Sequence, residues 1–308
     1  MLREVLEAME LLEGPDASGE AAREWLIGKG FEPNEVEVTH IEGEKEGTDF
    51  VKVHLSSSGT GPTLGIIGRL GGVGARPERI GLVSDADGAI VALACAAALA
   101  RMRKRGDSLP GTVIVATHIC PHSPVIPHDP VPFMGAPVDM ATMNRHEVDP
   151  RMEAILSIDT TKGNWVINRR GFAITPTVKE GYILRVSEDL LRIMSYVTNE
   201  PPAVLPITTQ DITPYGNGLF HINSIMQPAT ATSAPVVGVA TTARIPVPGC
   251  ATGANQVVDI EMAARFCVEV AKEFTAGRSR FYDPEEFEQL VALYGPMRHL
   301  QTLGRRGA

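Results

Sequence analysis

Leu2, Val5, Leu6, Met9 and Leu12 recur at helical spacing and predict an amphipathic first helix, which Gly14-Pro15 ends. Ser18 stands where it can cap a second helix, with Ala21, Ala22, Trp25 and Leu26 on its apolar side. Residues 36–41 and 50–55 alternate apolar with polar positions and read as half-exposed strands. Their histidines, His40 and His54, have no companion groups nearby in the sequence and read as structural or solvent-facing.

From residue 63 the pattern changes to continuous apolar runs at 63–68, 81–83, 112–116, 154–158 and 235–240. Ala86 to Met102 is almost free of charge, so a helix there must be buried on all sides. Asp259 to Phe274 reads as a long closing helix, and 284–303 as a helical tail. Apolar strands interleaved with helices predict a three-layer α/β/α protein with a mostly parallel central sheet. Residues 121–137 hold six prolines and are expected to form a stiff extended loop without secondary structure. No internal repeat and no interdomain linker is visible, so 1–308 reads as a single domain.

At 308 residues the chain is long enough to build a core without disulfide staples. Its net charge of −9, from 28 basic and 37 acidic residues, argues against a nucleic-acid or anionic-membrane partner. Cys95, Cys120, Cys250 and Cys267 form no CxxC pair and no framework spacing. The charged opening residues do not read as a signal peptide, and no apolar stretch is long enough to span a bilayer. A cytoplasmic location is expected.

In an open α/β sheet, ligands bind beyond the carboxyl ends of the strands. The residues that follow the apolar runs are Arg69, Ser84-Asp85-Ala86-Asp87, His118 with Cys120 and His122, and Asp159-Thr-Thr-Lys162. Carboxylates suit hard or borderline cations, and His and Cys suit zinc.

The order of these pieces resembles the co-catalytic zinc aminopeptidase clan, with its phosphorylase/hydrolase-like fold. The carriers of the resemblance are Glu13-Gly-Pro-Asp-Ala-Ser-Gly-Glu20, Ser84-Asp85-Ala-Asp-Gly, Ile155-Leu-Ser-Ile-Asp159 and Val257-Val-Asp259. The resemblance implies metal ligation by Asp85 and Asp159. It departs from the clan in three places. Arg69-Leu70-Gly71 stands where a His-x-Asp motif is usual, Cys120-Pro121 replaces a Glu-Glu pair, and Cys250-Ala-Thr252 replaces the last histidine. The organisation also resembles a bacterial domain-of-unknown-function family, which implies no activity.

Three readings follow. In the first, a divergent metallohydrolase cleaves a small amide or dipeptide-like compound. Asp85, Asp159 and His118 hold zinc or another divalent metal, while Arg69 pairs an acidic substrate group. In the second, Cys120 is a metal-free nucleophile with His118 or His122 as base. In the third, the chain is a non-catalytic small-molecule-binding or oligomer-forming descendant. Asp211 and His221, in a segment matching the clan's cleft loop, are candidate substrate-binding residues. A small-molecule substrate and homo-oligomeric assembly are expected as partners.

Overall fold

The computed structural model describes residues 1–43, 46–57, 59–69, 71–127, 132–162, 166–207, 224–250 and 252–302. The first two helices are α1 (Leu2–Glu13) and α2 (Gly19–Lys29). The Ser18 hydroxyl accepts the Ala21 N–H at 3.2 Å, so the cap falls where the sequence places it. Strands β1 (Val36–Ile41), β2 (Thr48–Leu55) and β3 (Gly61–Gly68) precede the long helix α3 (Asp87–Lys104). Next come β4 (Gly111–Ile119), the short β5 (Val125–Ile126) and β6 (Phe133–Met134), α4 (Met140–Glu147) and β7 (Ala154–Thr160). The remainder is β8 (Gly171–Ile174), β9 (Val178–Lys179), β10 (Tyr182–Ile183), α5 (Glu188–Thr198), β11 (Val236–Thr242), α6 (Val257–Thr275) and α7 (Pro284–Tyr294).

Among the described residues the main sheet has nine strands, along the path β1-β2-β4-β3-β7-β11-β9-β10, with β8 also paired to β11. The centre, β4-β3-β7-β11, is parallel. Its flanks are antiparallel: β1 with β2 and β2 with β4 on one side, β8, β9 and β10 on the other. The mostly parallel sheet expected from sequence is therefore a mixed one. The antiparallel additions are short or alternating segments, and β1, β2 and β8 still pack against helices, β1 and β2 on α2 and β8 on α6.

Helix α3 is buried from Asp87 to Ala100, as its charge-poor sequence requires. It packs on β3, β4 and β7 and against α1 and α6. Its close approach to the sheet depends on Gly68, where a Cβ would lie 2.4 Å from the Gly88 carbonyl oxygen. That contact sets the start of α3 against the carboxyl end of β3.

Two sequence expectations are corrected in detail. Inside the proline-rich segment, β5 and β6 form an antiparallel pair, Val125 opposite Met134 and Ile126 opposite Phe133. All six prolines lie outside those four positions, so the paired residues keep their N–H groups. The tail is helical only to Tyr294. Gly295, at φ 81°, ends α7, and a 3-10 turn at Arg298–Leu300 follows. Among the described residues no helix is long and apolar enough to cross a membrane.

Candidate functional site

The sheet register brings three of the sequence candidates level with one another. Gly68 is paired with Thr117 on one side and Ile158 on the other, so Arg69, His118 and Asp159 come next, side by side, at the strand ends. The Arg69 N–H donates to the Ile158 carbonyl at 2.9 Å.

Helix α4 closes over two of them. The Asp139 carboxylate caps it, accepting the Thr142 N–H at 2.8 Å, and Met140, Asn144 and Glu147 recur on the side turned to Arg69. The Arg69 guanidinium donates to Glu147 Oε2, and to Asn144 Oδ1 at 3.3 Å. His118 Nδ1 pairs with Glu147 Oε1 at 2.8 Å. The Arg69 and Glu147 side chains are 2% and 0% exposed. Burial alone would raise the Glu147 carboxyl, but Arg69 and His118 outweigh it and hold the carboxyl below its ordinary range. Asn144 Nδ2 donates in turn to the Gln227 carbonyl and Thr230 hydroxyl, both at 3.2 Å. Arg69 is thus a member of a closed, buried network rather than an open anion receptor.

A second cluster lies at the start of α3. Ser84–Ala86 forms a 3-10 turn in which the Asp85 N–H donates to the Gly249 carbonyl at 3.1 Å. The carboxylate of Asp85 lies against that glycine, where a Cβ would stand 1.9 Å from Oδ1, so the loop can cover Asp85 only with no side chain there. Burial, reinforced by the charge of Asp159 and opposed by that of Lys162, pushes the Asp85 carboxyl up to about 7. Asp159 Oδ1 accepts the Thr160 N–H at 2.6 Å.

Asp87 is held differently. Its Oδ2 accepts from Lys162 Nζ at 2.5 Å and from the Thr241 hydroxyl at 2.8 Å, and its Oδ1 accepts from Asn255 Nδ2 at 2.8 Å. Lys162 also donates to the Ser84 hydroxyl at 2.8 Å and the Ala254 carbonyl at 3.3 Å.

The thiols are less suited to chemistry. All four cysteines are free and buried. Burial pushes the Cys120 thiol up, away from the thiolate a nucleophile needs. Cys250 is pushed up to about 11 by burial and by the charge of Asp85. His122 bridges Ala75 in backbone pairing, and among the described residues its buried Nε2 has no hydrogen-bond partner. Asp211 and His221 lie outside the described residues.

The described residues at the strand ends fit a zinc site poorly. A carboxylate on the second ring nitrogen is the usual support of a ligating histidine, and Glu147 supplies one to His118. Yet among the described residues no group of three His, Cys, Asp or Glu side chains is gathered where it could hold a metal ion. Sequence reasoning reached Arg69, Asp85, His118, Asp159 and, as strand-end neighbours, Asp87 and Lys162. It missed Asn144 and Glu147, whose local signal is the Asp139 cap ahead of α4, and Thr241 and Asn255, which lie in β11 and ahead of α6.

The fold and the buried carboxylates at its strand ends mark a mixed α/β protein with a strand-end polar site. The chain belongs to the family described as Protein of unknown function (DUF1177), whose model matches residues 39–304. Among solved structures it is similar to the Legionella pneumophila LapA aminopeptidase, at 9% identity and a TM-score of 0.49 over 89% of this chain and 71% of that one. A search of the curated proteins found no match.

Proposed function

We propose that the chain is a hydrolase-like enzyme acting on a small amide or dipeptide-like compound, with Asp85 and Asp159 as a coupled acid–base pair. The observation that carries this reading is the burial of both carboxylates at the strand ends, with the charge of Asp159 raising Asp85. Near neutral pH such a pair holds one proton between two carboxylates. The ionised member takes a proton from water as the water oxygen attacks the amide carbon. The protonated member delivers its proton to the nitrogen as the C–N bond breaks.

The resemblance to the zinc aminopeptidase clan, a single domain over 1–308 and a three-layer arrangement belong to the same proposal. In it, α3 and α6 form one layer, and α4, with the 3-10 stretch Ser224–Thr230, covers the other face. Zinc or another divalent metal on Asp85, Asp159 and His118 is not carried into the reaction, because the donor set is incomplete. Cysteine chemistry at Cys120 with His122 is disfavoured by the raised thiol. The closed Arg69–Glu147–His118 network favours a positioning role for Arg69 over substrate pairing. The buried Arg69–Glu147–His118 and Lys162–Asp87 pairings also suit a non-catalytic binding protein, which is the second reading.

Amine release from a panel of dipeptides and N-acyl amino acids, measured between pH 5 and 8, tests the proposal. Turnover by the wild type, reduced at least about 100-fold by Asp85→Asn and by Asp159→Asn, is expected. No turnover across the panel, or turnover indifferent to both substitutions, favours the binding protein.

A further inference from the structure

Three aspartates, Asp85, Asp87 and Asp159, are buried at one end of the sheet. Several carboxylates in one buried place repel one another and lose their hydration, so a fold that keeps them needs a proton on one of them, a cation among them, or both. Many proteins supply a metal ion there. In this chain Lys162 occupies that role. Its side chain is 3% exposed, and its ammonium donates to Asp87, Ser84 and the Ala254 carbonyl, using all three of its protons.

The partners come from separate parts of the fold. Lys162 follows β7, Ser84 and Asp87 stand at the start of α3, and Ala254 precedes α6. Thr241 in β11 and Asn255 complete the shell around Asp87. One ammonium therefore ties three elements together, as a structural metal would.

We propose that Lys162 is a built-in cation that replaces a metal ion in this carboxylate cluster, so that the native protein folds without metal. The proposal concerns the same site as the hydrolase reading but does not depend on turnover. Its test reads stability and metal content, so it can fail or stand independently of any activity.

The wild type and Lys162→Met are purified without chelator, analysed for metal, and melted with EDTA or with added MnCl2 or ZnCl2. The wild type is expected to carry well under about 0.1 metal per chain and to shift by less than about 1 °C with either addition. Lys162→Met leaves the carboxylates without their cation. It is expected to melt well below the wild type and to regain about 5 °C or more with MnCl2 or ZnCl2. Lys162→Arg, which keeps the charge, should ignore both metals. About one metal per wild-type chain, with a melting temperature lowered by EDTA, overturns the proposal. So does a Lys162→Met protein that is as stable as the wild type and blind to metal. Should Lys162→Met fail to fold, refolding of the wild type from urea in EDTA decides. Full recovery upholds the built-in cation, and recovery only with metal overturns it.

Discussion

Asp85 pays for its position with a charge it cannot easily carry. Its folded carboxyl titrates at about 7 against an ordinary 3.8, so the folded state binds this proton more tightly than the unfolded chain. The stabilising contribution of the proton is complete below about pH 4 and is lost as pH rises through 7. The full shift corresponds to roughly 4 kcal/mol as an upper bound. Asp85→Asn removes that slope, so it should raise the melting temperature at pH 8 and change it little at pH 4. Thermal melts of both proteins across this range check the expectation, and parallel curves contradict it. Glu147 has the opposite sense. Its carboxylate compensates two buried cationic or polar partners, and Glu147→Ala leaves Arg69 buried and unpaired. A loss of about 3–5 kcal/mol in urea unfolding is expected.

At the scale of elements, legibility followed burial. The first two helices, the central strands and α3 were readable because each one's periodicity or continuous apolarity reports the surface it buries. Ala96 sits inside α3 with no exposure, so Ala96→Leu should cost about 1–3 kcal/mol by overpacking, measured by chemical denaturation. Helix α4 was not legible. The residues it turns inward include Asn144 and Glu147, and a polar inward face gives no hydrophobic period. Their partners, Arg69, His118 and Gln227, are distant in sequence, so nothing local announces the contact. The β5–β6 pair was hidden for a related reason. Proline density describes the segment's average, whereas pairing depends on the four positions that prolines leave free.

Over the whole molecule, the rule that ligands gather at strand carboxyl ends located the candidate site before any contact was known. The described residues form two polar clusters there, Arg69 and His118 on Glu147 and Asp85 near Asp159, Asp87 and Lys162. Their roles were less legible than their place, because a charged side chain's function depends on what neutralises it. Arg69 is consumed by Glu147 and Lys162 by Asp87, and neither pairing has a sequence signature. Self-association is a further expectation at this scale, drawn from the sequence's Pro- and Met-rich segment Pro132-Phe-Met-Gly-Ala-Pro137. Light scattering on a gel-filtration column should give a mass of two or more chains, and a clean monomer contradicts it.

The acid–base pair is tested most directly by carbon NMR of the aspartate carboxyls through a pH titration, in the wild type and in Asp159→Asn. One wild-type carboxyl, absent in Asp85→Asn, should titrate near 7. In Asp159→Asn it should move down while staying above the ordinary range, because burial remains when the neighbouring charge is gone. If every aspartate carboxyl of the wild type titrates below about 5, Asp85 and Asp159 share no proton at neutral pH and the proposed chemistry fails.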